Sequence, residues 1–157
     1  MDAKSLILLD LQETRRRFIK VALGIPDSYI NWQPDAEALS IGQMIRHVLQ
    51  HDYDWHLILT EQRLPTDEEQ AAMRDVPYTR IQDEIERNES HHVRFLSYVE
   101  SLDVRDFGTV RIRWPHRPIE RKLGDVLERK SYHDAVHTGQ LLQYMRMLRI
   151  GRPEIWD

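Results

Sequence analysis

The sequence contains two histidines with the spacing of a metal-binding pair, His133 and His137, in a segment that reads His-Asp-Ala-Val-His. If this segment is helical, residues four positions apart lie on one face, about 6 Å apart along the helix axis. Neutral imidazole nitrogens at that spacing can bind one divalent ion together. His47, in an earlier segment with helical spacing, is the best candidate for a third ligand. Three imidazoles with one open coordination position are typical of a catalytic metal centre.

The choice of the third ligand stays open because His51 lies four residues after His47. His51 could replace His47 as a ligand, support another ligand through a hydrogen bond, or act as a general base. Asp134 is a second candidate base, but neighbouring residues point about 100° apart around a helix, so His51 is preferred. A histidine on an apolar helix face is also often a hydrogen-bonded core residue, which is how we interpret His92. A bundle whose histidines bind no metal is therefore one alternative.

The distribution of glycine and proline predicts helices. Both residues are few and clustered, which leaves four long stretches in which apolar residues recur at helical spacing. Ser40 with Gln43, and Thr79 with Gln82, have the spacing of capping boxes at the starts of the second and third helices. The predicted helices cover about residues 4–23, 40–64, 79–102 and 123–150.

Four helices with apolar stripes must bury those stripes against one another, which predicts an all-α, four-helix bundle in a single domain over residues 1–157. The connections at 24–39 and 103–122 are long enough to cross an end of the bundle, so a simple up-down-up-down order is not assured. Residues 110–114 alternate apolar and basic side chains. This alternation predicts a short strand or extended flap between the third and fourth helices.

The composition excludes several classes of protein. The chain has no cysteine, which excludes disulfides, thiolate metal sites and a cysteine nucleophile. The net charge of −4 argues against a protein that coats nucleic acid, and no nucleic-acid partner is expected. No apolar run is long enough to span a membrane, and the first residues do not have the pattern of a signal peptide. We therefore expect a cytoplasmic protein with no membrane association.

Several motifs, in this order along the chain, resemble those of the DinB/YfiT superfamily of four-helix-bundle proteins. The first group resembles the entry to the second helix and its metal-binding histidine, and the second group resembles the last helix and tail. The resemblance covers about two thirds of the chain and is weakest between residues 65 and 102. The motifs are Trp32-Gln33-Pro34, Ser40-Ile41-Gly42-Gln43 and His47, then His133-x3-His137, Thr138-Gly139-Gln140-Leu141 and Arg146-x2-Arg149-x-Gly151-x-Pro153.

The resemblance implies a divalent metal held by His47, His133 and His137, with water or a substrate oxygen in the open position. The ion varies among nickel, zinc, iron, manganese and cobalt in such proteins, so the ligands do not identify it. The resemblance also implies an up-down-down-up bundle, which agrees with the long connections, and a homodimer.

Among functions known in the superfamily, we favour thiol S-transfer to a small-molecule substrate, with a low-molecular-weight thiol such as bacillithiol. A metal ion lowers the pKa of a bound thiol as it does that of bound water. Arg111 and Arg113, in a basic segment, could then hold the carboxylates of the thiol or an anionic substrate. The alternatives are a metal-dependent hydrolase and a metal-binding dimeric stress protein without catalytic activity.

Overall fold

The computed structural model describes residues 1–157 and is an all-α, four-helix bundle, as the sequence predicted. Four long helices form the bundle, and two short helices and a β-hairpin lie in the connections. The helices are α1 (Ala3–Leu23), α2 (Ile41–Glu61), α3 (Asp67–Arg74), α4 (Ile81–Ser101), α5 (Asp106–Thr109) and α6 (Leu123–Met147). The strands are β1 (Arg111–Arg113) and β2 (Glu120–Lys122).

The bundle is held together by two apolar clusters with a polar layer between them. In the bundle, α1 packs on α6 and α2 packs on α4, while α1 also contacts α4 and α2 also contacts α6. One cluster contains Phe18, Leu49 and Leu141, and the other contains Leu11 and Leu127. Each long helix carries buried or half-buried polar residues where it passes from one cluster to the other, at Arg15, Asp52, Asn88, His92, Lys130 and Asp134.

The start of α2 agrees with the sequence prediction, whereas the start of α4 does not. Ser40 and Gln43 form the predicted capping box. The Thr79 hydroxyl instead bonds the Asp83 carboxylate, and α4 begins at Ile81. The Ile81 amide donates to the Asp27 carboxylate, 2.8 Å away across the fold. A remote side chain therefore caps this helix, and local spacing could not reveal it.

The last helix ends earlier than residue 150. Arg149 has a left-handed backbone conformation, with φ of 59°, and the Ile150 amide donates to the carbonyl of Met145. This left-handed turn satisfies a carbonyl at the end of α6. Gly151 lies beyond the turn.

The connection between α2 and α4 contains α3, which the sequence analysis missed. Thr66 and Glu69 form a capping box at its start, and this spacing is visible in the sequence. The buried guanidinium of Arg46 donates to the carbonyl oxygens of Met73 and Val76 and holds the end of α3 against α2.

The predicted extended segment between the third and fourth long helices is present as a hairpin. β1 pairs with β2 in antiparallel register, with Ile112 opposite Arg121. Ile112 is buried, whereas the flanking Arg111 and Arg113 are exposed. No helix is both long and apolar enough to cross a membrane.

Candidate metal centre

Three histidines from two helices meet at the polar layer. α2 supplies His47, and α6 supplies His133 and His137 one turn apart. The Nε2 atom of His133 lies 3.1 Å from Nε2 of His47 and 3.1 Å from Nε2 of His137. All three side chains are half-buried. The structure thus brings together the three residues that the sequence analysis proposed as ligands.

The hydrogen bonds on the other ring nitrogens show what this cluster can bind. Asp134 Oδ1 lies 3.1 Å from Nδ1 of His133, and Gln140 Oε1, with the amide oriented as in the structure, lies 2.7 Å from Nδ1 of His137. Because both oxygens accept, each Nδ1 carries the proton and each Nε2 keeps a lone pair. Two lone pairs facing each other at 3.1 Å repel unless a cation lies between them.

The spacing of the nitrogens also fits a metal ion. Two nitrogens bound at about 2.0–2.1 Å are about 2.8–3.4 Å apart for angles between 90° and tetrahedral. Both measured separations of 3.1 Å fall in this range. The donor set is three neutral imidazoles, which suits zinc, nickel, iron and other divalent transition metals.

Burial keeps the histidines in the form that binds metal. Burial, followed by the proximity of His133 and His137, lowers the pKa of His47 from 6.5 to about 4. Burial and the proximity of His133 likewise lower the pKa of His137. Neutral imidazole keeps an available lone pair on one of its two ring nitrogens, whereas imidazolium has none. These two side chains are therefore ready to bind a metal ion at neutral pH.

His51 lies behind His133 rather than in the nitrogen cluster. Its Nδ1 atom is 3.3 Å from Nδ1 of His133, on the side of the ring that faces away from the other histidines. Burial, followed by the neighbouring His133 and His47, lowers the pKa of His51 to about 2. This position favours a supporting role for His51 and favours His47 as the third member of the cluster.

A network of buried charges fixes the position of Asp134. Lys130, which is 2% exposed, forms ion pairs with Asp52 and Asp134. Asp52 also accepts from Arg15 at 2.7 Å and contacts His92 at 3.0 Å. Two buried cations therefore balance two buried carboxylates from α1, α2 and α6, and His92 adds a residue from α4.

The mutual attraction in this network maintains its charges. Burial opposes ionisation of Asp52, but the charge of Lys130, then His92 and Arg15, lower the pKa of this carboxyl below its ordinary value. Burial also opposes the charge on Lys130, but Asp134 and Asp52 raise the pKa of its ammonium. A carboxylate that supports a metal-binding histidine is thus itself held by a buried ammonium.

The sequence analysis misjudged Asp134 and missed Lys130 and Asp52. Asp134 was expected to point away from the site, whereas its carboxylate bridges His133 and Lys130. The Cα–Cβ bonds of neighbouring residues on a helix point in different directions. The His133 ring and the Asp134 carboxylate are nevertheless long enough to come into contact. The position of Lys130 among the apolar residues of the last helix could have indicated a buried ion pair, because a buried charge requires a partner.

A cavity of about 270 Å³ opens beside His47. Asp54 lies on its wall and was not singled out from the sequence. Its carboxylate is 3.8 Å from Nε2 of His51, and burial raises the pKa of this carboxyl from 3.8 to about 6. The other lining residues come mainly from α2 and the α3 region: Leu39, Gln43, Arg46, Gln50, Gln70, Met73, Arg74 and Tyr78.

The two arginines proposed as anion-binding residues lie on the hairpin. Arg111 and Arg113 are exposed on the face opposite the buried Ile112. Arg113 lines a shallow cavity with Arg117. Neither Arg111 nor Arg113 lines the cavity beside His47.

Comparison with known families gives one match to most of the chain. The family model of the DinB superfamily matches residues 10–141, a range that includes all three histidines. No curated protein sequence matches the chain significantly.

Two solved structures share the fold. The chain is similar to a DinB-like protein, YjoA, from Bacillus subtilis, with 14% identity, a TM-score of 0.71 and coverage of 96% of both chains. It is also similar to YfiT from Bacillus subtilis, described as a probable metal-dependent hydrolase with an unusual four-helix bundle topology. That match has 14% identity and a TM-score of 0.73, and covers 94% of this chain and 89% of YfiT. At this identity, the similarity shows the fold alone.

Proposed function

Because the chain belongs to the DinB superfamily, we propose that it is a divalent-metal-dependent enzyme whose ligands are His47, His133 and His137. The observation that carries this proposal is the pair of Nε2 lone pairs that face each other 3.1 Å apart. A divalent ion bound there would supply Lewis acidity. This would lower the pKa of a thiol or water molecule bound to the ion towards neutral pH.

The proposed reaction is S-transfer from a low-molecular-weight thiol, such as bacillithiol, to an electrophilic small molecule. The thiol loses its proton, its sulfur forms a bond to an electrophilic carbon, and the leaving group departs with the electron pair of the broken bond. The cavity beside His47 would admit the reactants. Arg111 and Arg113 remain candidates for binding the carboxylates of the thiol.

Asp54 is our candidate for the group that accepts the proton. It lines the same cavity as His47. Its raised pKa of about 6 is close to neutral pH, and a general base is most effective when its pKa lies near the pH at which the enzyme works. His51 lies between Asp54 and His133, 3.8 Å from the Asp54 carboxylate and 3.3 Å from Nδ1 of His133, so its ring would hold these groups in position. The rate should rise with pH through about 6, and Asp54→Asn should remove this dependence.

Hydrolysis is the second candidate function. The same base beside the same cavity could take a proton from water, and YfiT, which shares this fold, is described as a probable metal-dependent hydrolase. The two reactions differ only in the nucleophile, so substrate tests must separate them.

The experiment uses metal-loaded protein with 1-chloro-2,4-dinitrobenzene and either bacillithiol, cysteine or no thiol. Thioether formation above the uncatalysed rate, lost in His133→Ala/His137→Ala, would support S-transfer. Release of the phenol from nitrophenyl esters without any thiol would support hydrolysis instead. A metal-loaded protein with neither activity on a panel of both substrate types would favour the non-catalytic alternative.

Three further properties stay predictions: a single domain over residues 1–157, a homodimer and a cytoplasmic location. Light scattering of purified protein measures the oligomeric state directly. A monomer at micromolar concentration would contradict the predicted homodimer.

A further inference from the structure

A second cleft, of about 290 Å³, lies between the hairpin and the helices α2 and α6. Three guanidinium groups and three aromatic rings line it. Such a lining differs from that of the cavity beside His47, which is rich in amides. The lining residues are Trp55, Trp114, Arg117, Ile119, Arg121, Arg129 and Tyr132.

The cleft carries an excess of positive charge. Asp125 pairs with both Arg121, at 3.2 Å, and Arg129, at 2.9 Å. The side chain of Arg117 makes no hydrogen bond or ion pair. Three guanidinium groups therefore share one carboxylate, which is a net excess of two positive charges, and Arg117 alone has no partner. Guanidinium groups bind carboxylate and phosphate oxygens in a bidentate geometry.

The aromatic side of the cleft is built on a fixed support. Trp114 packs edge-on against the buried Trp55, with ring centroids 5.1 Å apart. The hairpin that carries Trp114 and Arg117 is held by the buried Ile112 and by a hydrogen bond from the Leu123 amide to the carbonyl of Val110. The ring of Tyr132, 67% exposed, is open to a ligand. Flat rings pack well on such surfaces.

The cleft is close to the three-histidine cluster along both helices. Trp55 follows His51 by one turn of α2, and Arg129 precedes His133 by one turn of α6. Each of these four-residue separations corresponds to about 6 Å along a helix axis. A molecule bound in the cleft could therefore extend towards the histidines.

We infer that this cleft binds a small organic anion with a planar ring, with its carboxylate or phosphate on Arg117 and Arg129 and its ring against Trp114 and Tyr132. The volume lies just below the range for ligand pockets, about 300–1,000 Å³, so one ring with its anionic group would fill it. The inference rests on the proposed function only where it makes this anion a reactant of the metal centre.

The experiment is a titration of zinc-loaded, ¹⁵N-labelled protein, followed through the four tryptophan indole signals. Benzoate and phenyl phosphate are the probes, and benzyl alcohol, acetate and inorganic phosphate are the matched controls. Signals of Trp55 and Trp114, assigned by substitution with Phe, should move with the probes while those of Trp32 and Trp156 stay in place. Whichever of benzoate and phenyl phosphate binds more tightly indicates whether the cleft prefers a carboxylate or a phosphate.

The variant Arg117→Gln/Arg129→Gln should weaken the binding of the better probe at least tenfold, whereas Arg94→Gln, on α4, should leave it unchanged. The inference is overturned if Trp55 and Trp114 do not respond at about 10 mM probe, a concentration that fills a millimolar site. It is also overturned if benzyl alcohol, acetate or inorganic phosphate binds as well as the probes. Because the titration measures binding, it is informative even in a protein that shows no transferase activity, and His133→Ala/His137→Ala should retain binding in the cleft.

Discussion

The Asp134 carboxylate lies 3.1 Å from Nδ1 of His133, the residue directly before it in the chain. This hydrogen bond fixes which nitrogen of His133 carries a proton, and so directs the lone pair of Nε2 towards His47 and His137. Lys130 holds the opposite oxygen of the same carboxylate. The proposed metal centre is thus connected through one side chain to the buried charges of the bundle.

Replacing Asp134 with Asn should weaken metal binding about 10- to 100-fold, the range expected when a carboxylate that supports a histidine ligand is lost. An amide does not supply the negative charge that stabilises the metal-bound imidazole. Competition with a chromophoric chelator measures the affinity, and Glu128→Gln, exposed on the same helix, is the control. Equal affinities for Asp134→Asn and wild type would show that this hydrogen bond does not tune the site.

Replacing Lys130 with Met should lower the free energy of unfolding by about 3–5 kcal/mol, because two buried carboxylates lose the cation between them. Lys122→Met, at an exposed position, should change it by less than about 0.5 kcal/mol. Urea denaturation of both variants measures the difference. Similar losses in the two variants would mean that the network contributes little to stability.

The raised pKa of Asp54 gives a prediction for stability against pH. Between the unfolded value of 3.8 and the folded value of about 6, the folded state holds the proton more tightly, so stability falls as pH rises through this window. Asp54→Asn removes this loss. Its melting temperature relative to wild type should rise between pH 4 and 6 and stay constant above. The exposed Asp75→Asn should show no such trend, and a flat difference for Asp54→Asn would contradict the assigned pKa.

Two helical glycines should respond in opposite ways to substitution with Ala. At Gly42, a Cβ atom would lie 2.8 Å from the Tyr78 ring and 3.0 Å from the carbonyl oxygen of Ile30, so Gly42→Ala should destabilise by about 1–3 kcal/mol. At Gly139, an added Cβ atom would have no atom within 4 Å outside the local backbone of its own helix, so Gly139→Ala should stabilise α6 by up to about 1 kcal/mol. Thermal denaturation tests both, and destabilisation by Gly139→Ala would contradict the open space found there.

The sequence predicted the features that depend on local spacing. The periodic apolar residues predicted the four long helices, and the histidine spacing on one helix face identified His133 and His137. Features that depend on distant residues were not predictable in this way. The cap of α4 by Asp27 and the pairing of Arg15 and Lys130 with Asp52 join residues from different helices or loops.

Metal analysis of protein purified without an affinity tag tests the central claim most directly. Wild type and the double variant His133→Ala/His137→Ala are compared by elemental analysis, with circular dichroism to establish that both are folded. The account predicts about one divalent ion per chain in wild type and none in the folded variant. Protein that binds no ion even after incubation with nickel, zinc or manganese, or a variant that retains full occupancy, would contradict it.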